Sequence, residues 1–384
     1  MNGDRVTRTG LAITAGGLLV AAAPLLAQMA TADRVRLDGW WPTKPAGTVE
    51  DYVGPRECVR CHESRASQLT TAMARTAQRA VDSPVLQSGA PLEFSAGRYA
   101  FAIARDGDRR LYSATDGQET ASVHLSWALG AGTVGQTYLF ERNGSLQEAR
   151  ASFYASVNRL DFTPNRRLDS PRSLEEAMAR PVGRAEARRC FACHTTASST
   201  SSGFDLARAL PGVTCEACHG PGRRHVHAME RKAPAADRAI MNPAQLDAAD
   251  SVDFCGACHA TFWDVKLANE RGLAALRSQP HRLQSSRCWQ EGDDRLTCVA
   301  CHDPHKKLVR DASTYDANCL SCHPASGAAP TASRQRSAGR ACPTATTNCT
   351  SCHMPKYDVP EMHYAFTDHL IRIVRPSDAA SRTP

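Results

Sequence analysis

Cysteine and histidine recur along this chain in one fixed spacing. Cys58-Val-Arg-Cys61-His62 is followed by Cys190-Phe-Ala-Cys193-His194, Cys215-Glu-Ala-Cys218-His219 and Cys255-Gly-Ala-Cys258-His259. Cys298-Val-Ala-Cys301-His302, Cys319-Leu-Ser-Cys322-His323 and Cys349-Thr-Ser-Cys352-His353 complete the series. Chance supplies about 0.02 copies of CxxCH in a chain of this length and composition. Two thiols at this spacing add across the vinyl groups of a haem, and the adjoining imidazole takes the iron from one face. Paired cysteines also build tetrahedral zinc sites, but zinc does not demand a histidine directly after every pair. The motifs therefore predict seven covalently attached haem c groups and use 14 of the 16 cysteines. Cys288 and Cys342 remain, and a disulfide between them is expected to staple the segments flanking the fifth and sixth motifs.

The other face of each iron decides between electron transfer and small-molecule chemistry. Outside the motifs stand His124, His225, His227, His281, His305, His363 and His369. His305, in Cys301-His302-Asp303-Pro304-His305, is too close to its own motif to reach the far face of that haem and is placed to ligate a neighbour. His225 follows a Gly-Pro-Gly turn that redirects the chain, and His363 and His369 follow the last motif closely. These four are expected as distal ligands, together with His124, which would have to bridge from a β-region to the haems. His227 reads as a surface or propionate-contact residue and His281, after a proline in a loop, as an ordinary exposed histidine. Met73 is weighed as a sixth ligand, which would raise a haem's potential, against packing on porphyrin; packing is the favoured reading. Met354 is too close to His353 to ligate that haem.

Around these residues the sequence predicts a mainly α and irregular multihaem cytochrome c fold, with a small antiparallel β-subdomain inserted after the first motif. Residues 1–32 carry Arg5 and Arg8 before an apolar run from Gly10 to Ala30. They read as a signal peptide cut after Ala30-Thr31-Ala32, or as a retained N-terminal membrane anchor. Residues 33–82 form a first haem segment, with a helix expected from Glu63 to Val81. Residues 83–180 form the β-rich insert and linker. There, Tyr99-Ala-Phe101-Ala-Ile103 alternates before Asp106-Gly107-Asp108, and Asn143-Gly144 marks a second hairpin. Residues 181–375 form a six-haem domain, in which Thr195 to Ser202 and Gly327 to Arg340 read as polar loops, and 376–384 is a tail.

The formal charge of +7 is not a nucleic-acid signature. Without residues 1–32 it is about +6, and seven haems with ionised propionates bring it to about −1 when ferric and about −8 when ferrous.

The chain resembles the bacterial multihaem cytochromes c, a group that includes doubled-CXXCH proteins, the tetrahaem nitrification cytochromes and the relatives of hydroxylamine oxidoreductase. The words that carry the resemblance are Tyr52 to Cys58, Thr214 to Gly222, Leu296 to His305, Cys352 to Lys356 and Phe366 to His369. In such relatives the histidine after Cys-His-Gly-Pro-Gly is often a distal ligand. The resemblance implies that role for His225, and the Cys-His-Asp-Pro-His word implies it for His305. It also implies a periplasmic electron carrier, with a quinol dehydrogenase, another cytochrome or a terminal reductase as redox partner. The alternative it raises is a haem oxidoreductase acting on a small nitrogen or sulfur oxyanion at one haem with an open distal site. Neither the CxxCK motif of the related nitrite reductases nor an eighth CxxCH is present.

Overall fold

The computed structural model describes residues 40–374 apart from 88, 165–170, 235–238, 270–274, 276, 291, 324–341 and 343. The leader or anchor, the Gly327 to Arg340 loop and the 376–384 tail lie outside the described residues. Among the described residues no helix is long and apolar enough to cross a membrane.

Eleven strands between Ala77 and Val182 build two sheets. The first is a meander of β2 (Leu92–Ala96), β3 (Tyr99–Asp106), β4 (Arg109–Thr115) and β5 (Thr120–His124). The second runs β1 (Ala77–Arg79), β6 (Trp127–Leu129), β7 (Gly135–Arg142), β8 (Ser145–Ala149) and β11 (Ala179–Val182); β9 (Ala151–Tyr154) also pairs with β7, and β10 (Arg159–Phe162) with β9. Both hairpins expected from the sequence form. Asp106 faces Arg109 across the Gly107-Asp108 turn, and Arg142 faces Ser145 across Asn143-Gly144. Asn143 and Gly144 have φ of 52° and 73°, the positive pair that a tight two-residue turn needs to match strand twist.

Period-two alternation explains how the sheets stack. In β3, Tyr99, Phe101 and Ile103 point inward, and β4 sends Tyr112 and Ala114 to meet them. Tyr138 and Phe140 of β7 close that core from the other sheet, with Leu160 and Met178. Leu139, between them, points the opposite way and packs with Trp127, Ala77 and Val182 against Ala187 and Phe191. Those two residues lie four apart on the helix Arg184–His194, which carries the second motif. The larger sheet is thus buried on both faces, and one face is the seat of a haem motif.

Three expectations need correction. The strands are more than a small insert: β1 lies within the segment assigned to the first haem, and β11 ends just before the second motif. The helix expected over Glu63 to Val81 is two short 3-10 turns, Glu63–Thr70 and Met73–Arg75, followed by β1. Thr71 breaks the run because its hydroxyl takes the Ala74 N–H at 3.2 Å, and Ala77 to Arg79 then pair with β6. Thr195 to Ser202 is not a solvated loop. Thr195–Thr196 pairs with Leu210–Pro211 and Ser199–Thr200 with Gly203–Phe204, and Thr196 is 1% exposed. Its hydroxyl donates to the Gly212 carbonyl at 2.8 Å and accepts the Thr214 N–H at 3.0 Å, which satisfies the buried oxygen.

After Val182 the chain consists of short helices and irregular connections. The extended lead-in docks onto it: Trp41 meets Phe254 edge-on at 5.4 Å, and the Trp40 indole N–H donates to the Cys218 carbonyl at 3.1 Å.

Candidate haem-binding centres

In the second, third, fourth and seventh motifs the pentapeptide is wholly helical, within Arg184–His194, Cys215–His219, Ala248–His259 and Cys349–His353. Positions i, i+3 and i+4 share one face of a helix, so both thiols and the imidazole are presented together. The first motif starts on the helix Pro55–Val59, the fifth on the 3-10 turn Cys298–Ala300 and the sixth on the helix Asp316–Cys322.

Several imidazoles have a fixed tautomer. His194 Nδ1 lies 3.0 Å from the Thr76 carbonyl, His219 Nδ1 2.9 Å from that of Met241, and His353 Nδ1 3.0 Å from that of Arg372. A carbonyl only accepts, so Nδ1 carries the hydrogen and the Nε2 lone pair is left for a metal. Burial lowers the pKa of His194, His219, His259, His302 and His369, which favours the neutral imidazole that ligation requires.

Three motif histidines face a second histidine ring. His62 and His225 have centroids 6.3 Å apart with planes at 24°. His219 and His305 stand at the same 6.3 Å and 24°, and His302 and His369 at 6.2 Å and 42°. Two imidazoles on opposite sides of one metal, each bonded at about 2.0 Å through a nitrogen about 1.1 Å from its ring centre, have centroids about 6.2 Å apart. Direct stacking would bring flat rings closer. The donor set and spacing fit an iron held between each pair.

The remaining histidines fall differently. His124 Nε2 lies 2.7 Å from Asp106 Oδ2 across the outer edge of the smaller sheet. His363 Nε2 lies 2.9 Å from Asp161 Oδ2, and its ring meets Tyr154 edge-on at 4.9 Å. In both, a carboxylate engages one ring nitrogen, whereas His225, His305 and His369 each face a motif histidine. His227 is exposed, as expected. His281 corrects the sequence reading: it is 8% exposed, with a buried Nδ1 that has no hydrogen-bond partner, 5.5 Å from the Phe262 ring. Pro280 lies in the first turn of the helix Gln279–Gln284 instead of in a loop, and that helix buries His281. Met73 is half-buried. Cys288 and Cys342 are free thiols, so the expected staple is not formed.

Thiols of different motifs meet. Cys58 neighbours Cys215, Cys255 neighbours Cys298 and Cys319 neighbours Cys349, while Cys193 Sγ lies 3.7 Å from the Ala257 carbonyl of the fourth motif and the Asn318 amide donates to the Ala300 carbonyl of the fifth at 2.7 Å. Cys218 lies within electrostatic range of Cys255, and Cys301 of Cys319 and Cys322. The spatial order of motifs is therefore first, third, fourth, fifth, sixth and seventh, with the second set beside the fourth.

Sequence reasoning missed the groups that hold these centres. Glu216, inside the third motif, is 1% exposed. Its Oε1 accepts the Val53 N–H at 2.9 Å and the Gly222 N–H at 2.7 Å, and its Oε2 accepts the Gly54 N–H at 2.8 Å. One carboxylate thus fixes the approach to the first motif and the start of the helix Arg223–Glu230, which carries His225. The only signal for it was a charged residue between two cysteines. Just past the first motif, the Ser67 hydroxyl donates to the His305 carbonyl at 2.7 Å.

Residues 161–220 match the family described as cytochrome c554 and c-prime. No curated protein matches the chain. Among solved structures, the outer cell wall cytochrome OcwA is similar in fold, with a TM-score of 0.50 at 14% identity, over 86% of this chain and 81% of that one. The matched segment and the shared fold are those of c-type cytochromes, in keeping with the haem c attachment that the CxxCH series predicts.

Proposed function

We propose that this chain is an exported heptahaem cytochrome c that conducts electrons between redox partners. The observation that carries the reading is the set of three histidine pairs at 6.2–6.3 Å, His62 with His225, His219 with His305 and His302 with His369. An iron with imidazole on both faces has no site for substrate, which suits outer-sphere electron transfer. Bound c-type haem supplies a reversible one-electron couple, and the protein sets its ligands and burial. The chain's own part is to hold the thiol pairs on short helical turns and to fix imidazole tautomers through carbonyls. Export is supported by the basic and apolar start of the sequence and by the compartment in which CxxCH proteins acquire haem. The partners fitting this role are a quinol dehydrogenase, another cytochrome or a terminal reductase.

Electron paramagnetic resonance of the oxidised holo protein, with haems counted by intact mass, tests the proposal. Seven haems, all low-spin, are expected, and His225→Ala should turn one of them high-spin. A native high-spin signal from one haem that shifts with nitrite or hydroxylamine would overturn the carrier reading in favour of an open catalytic haem.

A further inference from the structure

The last strand pair, Lys356–Val359 with Tyr364–Thr367, delivers the chain to Asp368 and His369. The Asp368 side chain is 0% exposed. Arg282, on the helix Gln279–Gln284, grips it with Nε on Oδ1 and Nη2 on Oδ2, both at 2.8 Å. Arg372 Nη1 reaches Oδ2 at 2.6 Å, and the Leu370 N–H reaches Oδ1 at 3.0 Å. A buried carboxylate without such donors would be strongly destabilising, so these four bonds fix where it sits.

Two imidazoles hang on this cluster from opposite sides. His369 is the next residue, and its Nδ1 lies 3.1 Å from the Thr367 carbonyl, on the other flank of Asp368. The cluster therefore fixes the backbone that aims the ring at His302. Arg372 in turn exchanges two main-chain bonds with the seventh motif. Its carbonyl accepts from His353 Nδ1 at 3.0 Å, and its N–H donates to the His353 carbonyl at 3.2 Å. The Arg372 guanidinium is also held by the Tyr357 hydroxyl at 2.7 Å. One buried acid thus orients a ring facing the fifth motif and the motif histidine of the seventh.

We propose that Asp368 is a positioning residue shared by two haem centres, setting the ring of His369 opposite His302 and, through Arg372, the orientation of His353. The proposal rests on the reading of His369 and His353 as axial ligands. Partners that orient an axial imidazole tune the metal it binds.

The test uses holo protein carrying Asp368→Asn, with haem content verified by intact mass. The expected result is a change in the g-values of about two low-spin haems per chain, read as a difference spectrum integrated against the wild type. A lost charge alone would shift potentials and leave g-values in place. Arg372→Lys, which keeps Arg282 on the acid, is the second variant should Asp368→Asn fail to load haem, and it should perturb the His353 centre. A change confined to one haem or to none in Asp368→Asn, or an unchanged spectrum in Arg372→Lys, would overturn the shared role. A low-spin count unaffected by His369→Ala would instead remove the ligand reading beneath it, so the two failures are distinguishable.

Discussion

Glu216→Gln alters one terminal atom of a side chain that receives three backbone N–H groups. The amide oxygen retains one acceptor position. The most favourable rotamer puts it where Oε1 now holds Val53 and Gly222 at 2.9 and 2.7 Å. The amide NH2 then faces the Gly54 N–H, a donor opposed to a donor where a 2.8 Å bond now lies. Two charge-assisted bonds become neutral and a third is replaced by an unsatisfied buried N–H. At about 1 kcal/mol for each of the two weakened bonds and about 1–3 kcal/mol for the orphaned donor, the local loss is about 3–5 kcal/mol. A chain of this size with bound cofactors need not unfold in one step, so a global midpoint would blur the effect. Amide hydrogen exchange in the holo protein reads it directly: protection at Val53, Gly54 and Gly222 should fall about 150-fold or more. The His62 and His225 centre should also lose intensity in its low-spin signal. Protection within about twofold of wild type at all three amides would refute the assignment of these bonds as the tie between the first and third motifs.

Gly212 has φ of +75°, and a Cβ there would collide with the Ala74 carbonyl, so Gly212→Ala should cost about 2 kcal/mol or more and lower the thermal midpoint of the holo protein. Arg180 binds Glu148 at 2.7 Å and Glu186 at 2.6 Å, tying β11 to the helix of the second motif. Arg180→Met should cost about 0.5–1 kcal/mol at neutral pH, because the groups are partly exposed. Arg180 holds the Glu186 carboxyl below its ordinary value of 4.5, so this contribution is complete above that pH and is lost as pH falls through the lower, folded value. The gap between variant and wild type in denaturant melts should therefore close on acidification below pH 4.5, and a gap that persists there would contradict the ion-pair origin.

The sequence displayed the chemistry more fully than the scaffold. CxxCH is local, and so are the Asn143-Gly144 turn and the alternation of β3, because spacing and backbone freedom within a few residues decide them. His225, His305 and His369 were legible as ligand candidates, but their partners were not, since each pair joins segments from different motifs. His281 was misread because a proline marks a helix start as readily as a loop, and only tertiary packing distinguishes the two. Thr195 to Ser202 looked solvated because polarity alone does not show where hydroxyl partners are. The first-motif helix failed for a related reason: Ala77 to Arg79 gain a sheet partner about fifty residues away, beyond any local preference. Glu216 and Asp368 resemble surface acids in composition, and it is their backbone and arginine partners that make them structural.

The side position of the second motif gives the array a shape that its sequence order conceals. Cys193 of the second motif meets the Ala257 carbonyl of the fourth, while Cys255 of the fourth neighbours both Cys298 of the fifth and Cys218 of the third. The fourth motif is consequently a three-way junction, and the arrangement is a fork with three tips instead of a thread with two. One tip is the first motif, one the seventh, and one the second, which lies against the β-sandwich. Loss of the second motif would prune a branch and leave the line from first to seventh whole. Loss of the fourth would detach the second, while His305, just past the fifth motif, would still face His219 of the third.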